Sequence, residues 1–265
     1  MAIKIGLEDS PPFLSAGLRF AIASVLLFSL IKLNRLTLSY ESKHWWLMIL
    51  TGLLIGLGYG GVYWGEQFVP SGLTAVLFAT LPLFVALFSH FTIPGEKLSF
   101  TKVAGIIIGL GGVVLIFSDS FTLETTKWWG YASILFSAAV MAAGSVLVKR
   151  DLTHVNPLVL TGVQMIIAAV LLLLFGAIGE SVNDFFITQN SIGALLYLSI
   201  VGTVIAFVLY YWLLQRVQVT RVSLLVLITP LVAVLLGWLL LGEAILSEMI
   251  LGCVLVLVGV ALALR

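Results

Sequence analysis

Long apolar runs separated by short polar turns fill the chain from residue 12 to its end. Nine of these runs reach about the 20 residues that a tilted helix needs to cross a bilayer. The predicted spans are residues 12–31, 45–66, 72–93, 101–117, 128–148, 157–179, 193–214, 220–241 and 247–264. The connections are short and carry turn residues such as Asn156-Pro157, so the pattern predicts an all-α integral membrane protein without an extramembrane domain.

The order of the runs and of their turn residues occurs twice. Pro82 matches Pro230 at an offset of 148 residues, and Gly95-Glu96 matches Gly242-Glu243 at an offset of 147. The other matched pairs are Pro12 with Pro157, Gly17 with Gly162, Arg19 with Gln164, Tyr63-Trp64 with Tyr211-Trp212, Gln67 with Gln215, Gly105 with Gly252, and Gly112 with Gly259. We therefore predict two copies of one helical module, residues 1–118 and residues 127–265.

The same alignment places Lys4 on Lys149, at the end of the predicted span 128–148. Residues 1–7 are therefore expected to be the tail of a first helix that is largely missing from this sequence. The full plan is a bundle of ten helices, five in each copy. An odd number of spans in each copy gives the two copies opposite orientations, so the pattern predicts two inverted five-helix repeats.

Composition supports a membrane location. Apolar residues make up 61% of the chain and charged residues 9%, whereas about 25% of the residues in soluble domains are charged. So few charges cannot cover the surface of a soluble domain of this length, and the apolar excess is predicted to face lipid. The lone Cys253 excludes an internal disulfide.

The placement of positive charge predicts the orientation. If the C-terminus is cytoplasmic, ten of the thirteen Lys and Arg residues lie on the cytoplasmic face, where positive residues are enriched in membrane proteins. These residues are Lys32, Arg35, Lys43, Lys97, Lys102, Lys149, Arg150, Arg216, Arg221 and Arg265. Gly95-Glu96 and Gly242-Glu243 are interpreted as turns whose carboxylates lie near the N-terminus of the following helix.

The duplicated motifs resemble a known family. Each copy contains a helix with Pro, Gly and then Arg or Gln, a Tyr-Trp-x2-Gln motif at a helix end, a mid-helix Pro, and Gly-Glu followed by Gly-x6-Gly. These paired motifs are similar to the two EamA domains of a drug/metabolite transporter. The resemblance covers residues 5–264. It implies ten helices in a bacterial or archaeal cell membrane, with both termini cytoplasmic, and typically the export of amino acids or other small metabolites.

Two matched spans carry aromatic and polar side chains at a spacing that places them on one helix face. Polar side chains within a span turn away from lipid, toward the bundle interior or a water-filled cavity. We expect a substrate cavity lined by Tyr59, Tyr63, Gln67, Tyr210, Tyr211 and Gln215. Aromatic packing between helices, with hydroxyls bonded to neighbouring carbonyls, is the alternative interpretation for any single tyrosine.

Serine and proline residues extend this expected site. Ser133 and Ser137 form a small, weakly polar strip that fits either the cavity or close helix packing. Pro82 and Pro230 each remove a backbone donor, and they are interpreted as kinks that gate the cavity, with a plain packing kink as the alternative. Thr80 lies close enough to Pro82 to supply a compensating hydroxyl or a substrate contact.

Arg19 is the basic residue well inside a span. Three interpretations stay open: its side chain extends to the headgroups, it pairs with Glu66 at a similar depth, or it holds an anionic group of a substrate. Glu66 is the acid nearest the membrane interior and lies either there or at the outer interface. A buried carboxylate or His is a common coupling group in proton-driven carriers, so a coupling proton is a further hypothesis.

Three classes of function remain. The sequence contains no His-Glu-x2-His motif, no nucleophile elbow and no phosphate loop, which disfavours an integral-membrane enzyme and predicts no metal or other cofactor. A structural or channel-like subunit is compatible with a glycine-rich bundle. The favoured hypothesis is a secondary transporter that works by alternating access. Its predicted partners are a small metabolite and the lipid bilayer, without nucleic acid, as a monomer or a homodimer.

Overall fold

The computed structural model describes residues 10–118, 128–181, 188–241 and 247–264, and its regular elements in these ranges are helices. The predicted tail at residues 1–7 and the second Gly-Glu turn lie outside the described residues. The helices are α1 Pro12–Leu33, α2 Ser42–Gly65, α3 Ser71–Phe78, α4 Leu81–Thr92, α5 Phe100–Ile116, α6 Trp128–Asp151, α7 Pro157–Gly179, α8 Gln189–Ser199, α9 Ala206–Leu214, α10 Val219–Ser223, α11 Leu225–Leu241 and α12 Ser247–Ala263.

Each predicted span corresponds to one helix or to a broken pair. Within the described ranges, six helical segments are long and apolar enough to cross a membrane, and shorter apolar helices occupy the other three predicted spans. The segment Ser191–Leu214 runs through α8, a π-helical turn at Ile200–Ile205, and α9. The predicted all-α membrane bundle is confirmed.

The helix starts follow from local sequence. Pro12 and Pro157 occupy the first position of α1 and α7, where the fixed φ of proline suits a helix and its missing N–H is not needed. The side chain of Asn156 accepts from the Leu158 N–H, and that of Ser99 accepts from the Lys102 N–H. These signals set the lengths of the spans.

Helices α5 and α12, which match each other in the repeat, pack through glycines. A Cβ atom at Gly112 would lie 2.5 Å from the Gly252 carbonyl oxygen, and one at Gly105 would lie 2.5 Å from the Gly259 carbonyl oxygen. The end of α5 therefore contacts the start of α12, and the start of α5 contacts the end of α12. The two helices run antiparallel, and only glycine allows their backbones to approach this closely.

The matched helices α1 and α7 show the same relation. A Cβ atom at Gly17 would lie 2.8 Å from the Cγ atom of Leu173, and one at Gly162 would lie 3.2 Å from the Cδ1 atom of Ile31. The start of α1 thus packs on the end of α7 and its end packs on the start of α7. Both matched pairs are antiparallel and make reciprocal contacts.

The two matched prolines occupy different places. Pro82 is the second residue of α4, after a break at Ala79-Thr80, whereas Pro230 lies inside the continuous helix α11. The break in the second half occurs earlier, between α10 and α11. The Thr80 hydroxyl donates to the Leu77 carbonyl at 2.6 Å, so it compensates the backbone at the break.

The Glu96 carboxylate caps a helix of the other half. Its Oε1 accepts from the Val219 N–H at 2.8 Å, and its Oε2 accepts from the Thr220 hydroxyl at 2.9 Å, both at the start of α10. This corrects the prediction that the carboxylate lies at the start of the following helix. Gly95 allows the turn because its φ is +90°, a conformation that other residues rarely adopt.

The Glu180 carboxylate joins the halves in the same way. It follows α7 and accepts from the Phe13 and Leu14 N–H groups at 2.8 and 2.9 Å, at the start of α1. The unpaired N–H groups of a helix start favour a negative charge, so both carboxylates lie where the helix field stabilises them. The two halves of the chain are therefore held together by charged caps as well as by apolar packing.

We expect Gly112→Val to destabilise the bundle because its side chain would collide with the backbone of α12. Overpacking of this kind costs about 1–3 kcal/mol, and each kcal/mol lowers the melting temperature of a protein this size by about 2–4 °C. Gly111→Val is the matched control, since a Cβ atom there meets nothing within 4 Å. Thermal melts in detergent that show equal losses for both variants would contradict the glycine contact.

Candidate functional site

A cavity of about 210 Å³ lies inside the bundle, between helices of both halves. Its wall contains five aromatic rings, a few small polar groups and aliphatic side chains. The lining residues are Thr51, Ile55, Tyr59, Phe78, Leu81, Met141, Gly144, Ser145, Gly202, Ala206, Phe207, Tyr210, Tyr211, Ser223 and Val226. In the part of the chain that the structure describes, this wall carries no acidic or basic side chain.

The aromatic rings form a continuous row across the two halves. The Phe20 and Tyr59 ring centroids lie 5.1 Å apart, and those of Tyr59 and Phe207 lie 6.0 Å apart. The row continues from Phe207 to Tyr211 at 6.0 Å and from Tyr211 to Tyr210 at 5.5 Å. Tyr59, Tyr210 and Tyr211 thus lie on the wall of one cavity and also pack against one another, as in the alternative interpretation. Their contact with a substrate stays a prediction.

The hydroxyls of the wall are mostly engaged within the protein. Tyr210 and Ser145 bond to each other at 2.9 Å, across α9 and α6. The Ser223 hydroxyl donates to the Thr220 carbonyl at 2.7 Å. A solute in this cavity therefore meets apolar and aromatic surface with a mildly polar patch.

Arg19 lies directly behind the cavity wall and is 3% exposed. Its Nε donates to the Thr203 hydroxyl at 2.8 Å, its Nη1 to the Tyr63 hydroxyl at 3.2 Å, and its Nη2 to the Gly202 carbonyl at 3.0 Å. The guanidinium also stacks on the Tyr59 ring, 5.0 Å from its centroid. This burial rules out the extension of Arg19 to the headgroups.

Arg19 and Glu66 do not form an ion pair in the structure, where Glu66 follows the last residue of α2. The Arg19 side chain points toward Thr203 in the second half of the chain and not toward the end of α2. Of the three interpretations of Arg19, contact with an anionic group of a substrate is the one that stays open.

Gln164 holds the matched position in the second half and is fully buried. The Thr51 hydroxyl donates its proton to the Leu47 carbonyl at 2.8 Å, so its oxygen accepts from the Gln164 Nε2 at 2.8 Å. This fixes the orientation of the amide. The Gln164 Oε1 has no hydrogen-bond partner among the described residues. Each half therefore places one strong polar group beside the cavity, but only the first half supplies a charge.

The π-helical turn Ile200–Ile205 shapes the wall beside Arg19. The Thr203 hydroxyl donates to the Leu198 carbonyl at 2.9 Å while its oxygen accepts from Arg19, and the Gly202 carbonyl accepts from the same guanidinium. Such turns occur often at functional sites because the inserted residue redirects neighbouring backbone groups. The sequence prediction missed this turn and the roles of Gly202 and Thr203.

Three of the predicted polar residues lie apart from the cavity wall. Tyr63 is buried behind it as the acceptor for Arg19. Gln67 is exposed because α2 ends at Gly65, and its Nε2 bonds to the Trp64 carbonyl at 3.2 Å. Gln215 donates to the Val155 carbonyl at 2.7 Å, which ties the end of α9 to a turn.

The serine strip is used in helix packing. The Ser133 hydroxyl donates to the Gly61 carbonyl at 2.8 Å, and the Ser137 hydroxyl donates to the Ser133 carbonyl at 2.8 Å. Both hydroxyls lie against Gly61, so they join α6 to α2 and do not line the cavity described above. Ser133 instead borders a second hollow of about 240 Å³ between α1, α2, α6 and α7.

The residues four positions before the two prolines lie on the cavity wall. Pro82 and Pro230 disturb the bonding of the carbonyls four residues earlier, which belong to Phe78 and Val226. Phe78 and Val226 both line the cavity, one from each half. The expected gating role of the prolines stays a prediction. Within the described ranges, no three His, Cys, Asp or Glu side chains come together as a metal site would require.

The apolar helices and the aromatic cavity define the class of protein: a multi-pass membrane protein with an internal cavity. A model of the EamA-like transporter family matches residues 1–118 and again residues 128–265. The chain belongs to the EamA-like transporter family, within the drug/metabolite transporter superfamily, which confirms the resemblance seen in the sequence. It is a membrane transporter and not an enzyme.

Related proteins cover nearly the whole chain. The "Uncharacterized transporter YoaV" of Bacillus subtilis (strain 168) is 34% identical over 262 residues, which are 98% of this chain and 89% of that protein. The "Uncharacterized inner membrane transporter YedA" of Escherichia coli (strain K12) is 33% identical over 92% of this chain and 78% of that protein. A solved crystal structure matches with a TM-score of 0.82 at 23% identity, over 99% of this chain and 98% of its own, and shows the shared fold.

We expect Thr203→Val to destabilise the protein, because it removes the acceptor of a buried Arg19 N–H. Leaving such a group without a partner costs about 1–3 kcal/mol. Thr229→Val is the control, since the exposed Thr229 hydroxyl bonds only to a carbonyl of its own helix. Thermal melts of both variants in detergent measure the difference, and equal melting temperatures would contradict the described contact.

Proposed function

We propose that the protein is a secondary transporter that exports amino acids or related small metabolites by alternating access between two inverted repeats. The observation that carries this proposal is the cavity shared by both halves, with Tyr59 on one side and Phe207, Tyr210 and Tyr211 on the other. Central sites between inverted repeats are a common plan of secondary transporters, because the halves can exchange conformations and open the site to either side.

The packing of matched helices supports the inversion. In α5 and α12, Gly105 contacts Gly259 and Gly112 contacts Gly252, and these are the two matched glycine pairs with their partners exchanged. Contacts of this reciprocal kind are typical of two-fold symmetry, in which the same patch is used on both sides. Residues 1–118 and 127–265 are therefore proposed as the two repeats.

The chemistry of the wall supports the class of solute. A neutral aromatic lining with few free hydroxyls favours a small zwitterionic or apolar molecule. A sugar phosphate would need several cations to compensate its charge, and the guanidinium of Arg19 is the one cation beside this wall within the described residues. The unpartnered Gln164 Oε1 and the tyrosine hydroxyls suit a solute that also donates hydrogen bonds.

We expect Ala206→Phe to abolish transport, because the ring would fill much of the cavity that Ala206 lines. The measurement is counterflow of labelled amino acids in proteoliposomes. Ile205→Phe, at a neighbouring residue that is 47% exposed on the lipid side, is the control and should keep its counterflow. Equal counterflow in Ala206→Phe and the unmodified protein would remove the cavity from the transport path.

For the orientation, we propose an inner-membrane location with a cytoplasmic C-terminus, which the distribution of Lys and Arg supports. A green fluorescent protein fused after Arg265 is expected to fluoresce, and alkaline phosphatase fused at the same place is expected to be inactive. The opposite pair of results would contradict this orientation.

A further inference from the structure

We propose that Arg19 recognises a carboxylate, so that the solute bound in the cavity is a small carboxylic acid or amino acid held by that group. This inference rests on the proposed transport function and names the substrate class of the same site. It follows from the charge of Arg19, its unused donors and its place beside the wall.

The first step is the charge. Arg19 is 3% exposed and lies well inside a membrane span, where a cation is costly unless an anion or a function compensates it. Its described hydrogen-bond partners are two hydroxyls and one carbonyl, all neutral. No acidic side chain of the described ranges forms an ion pair with it. The site therefore holds a positive charge that an anion would complete.

The second step is the count of donors. A guanidinium has five N–H groups, one on Nε and two on each terminal nitrogen. Three are used, toward Thr203, Tyr63 and Gly202. One N–H on Nη1 and one on Nη2 are outside these three hydrogen bonds, and the Tyr59 hydroxyl is the other polar group among the described residues that interacts with the guanidinium. A carboxylate accepts a pair of N–H groups of this kind in a bidentate manner.

The third step is the position. Gly202 and Tyr59 both line the cavity, and Arg19 contacts both, one by a hydrogen bond of 3.0 Å and the other at 5.0 Å from the ring centroid. Gly202 and Tyr59 thus lie between the guanidinium and the cavity. A carboxylate that enters at this end therefore approaches the N–H groups of Nη1 and Nη2 that do not bond to Thr203, Tyr63 or Gly202, next to the π-helical turn that carries Gly202.

The fourth step is the asymmetry of the two halves. The matched position in the second half holds Gln164, a neutral side chain that bonds to Thr51. Only the Arg19 end of the cavity attracts an anion, so the carboxylate is oriented to that end. The apolar part of the solute then lies on the rings of Phe207, Tyr210 and Tyr211.

The test compares probes that share one carbon skeleton: 4-methylpentanoate, 4-methylpentanamide, 4-methylpentan-1-amine and L-leucine. Binding to the purified full chain in nanodiscs is measured by calorimetry. We expect the two carboxylates to bind about 10-fold or more tightly than the amide and the amine, since hydrogen bonds to a charged group are the stronger ones. Arg19→Gln, which introduces the residue found at the matched position, is expected to remove this preference.

Arg216→Gln is the matched control. Arg216 also stacks on an aromatic ring, 4.1 Å from the Trp212 centroid, but it is exposed and far from the wall. It should keep the preference for carboxylates. Arg19→Lys keeps the charge without the planar fork and should show an intermediate preference, which provides a second variant if Arg19→Gln does not fold.

Three results would overturn the inference. These are equal binding of 4-methylpentanoate and its amide to the unmodified protein, a carboxylate preference that survives in Arg19→Gln, and no binding of either carboxylate. The first two leave the proposed transport function intact if Ala206→Phe still abolishes counterflow. Unchanged counterflow in Ala206→Phe would instead contradict the proposed transport function itself.

Discussion

A polar group inside a membrane bundle finds no water, so the protein must supply its hydrogen-bond partner. This constraint explains contacts between the two halves and within one of them. The Glu96 and Glu180 carboxylates cap helix starts in the opposite half, whereas the Lys149 ammonium donates within the second half, to the Leu214 and Val217 carbonyls at the end of α9. Each of these charges meets the end of a helix whose field stabilises it.

The same constraint applies to the buried polar side chains around the cavity. Several buried hydroxyls are satisfied locally, by a carbonyl of the same helix, as for Thr51 and Ser137. Arg19 differs because its hydrogen bonds reach α2 and the π-helical turn, yet its charge has no described counter-ion. The packing of α5 with α12 uses matched glycines of both halves, whereas the matched positions of Arg19 and Gln164 differ in charge. The proposed inverted repeats would therefore surround a cavity whose two ends differ in charge.

The sequence predicted the large-scale plan well, because long apolar runs and duplicated turn residues are strong signals. The nine predicted spans correspond to the helices of the structure, and the matched glycines are in contact. It predicted Tyr59, Tyr210 and Tyr211 at the cavity, since aromatic residues at helical spacing share a face. Gln67 and Ser137 were placed less well. Helix α2 ends before Gln67, and close helix packing uses Ser137, and both effects depend on tertiary contacts.

The hydrogen-bond partner of Glu96 is a second feature that the sequence did not predict. Its position after Gly95 indicates a turn, but the helix that it caps begins more than a hundred residues later in the chain. The π-helical turn at Ile200–Ile205 likewise has no signature in a uniformly apolar run. Local patterns specify helices and their ends, whereas distant partners follow from how the halves pack.

We propose that the cavity between the two halves opens alternately to the two sides of the membrane. The lone Cys253 is easily replaced, so Ala206→Cys in a Cys253→Ser background places one thiol on the cavity wall. Labelling with a membrane-impermeant maleimide, applied to either face of oriented vesicles, tests the claim directly. We expect Ala206→Cys to be modified from both faces. Ile205→Cys is expected to stay unlabelled because its side chain faces lipid. Modification of Ala206→Cys from one face only, or from neither, would contradict it.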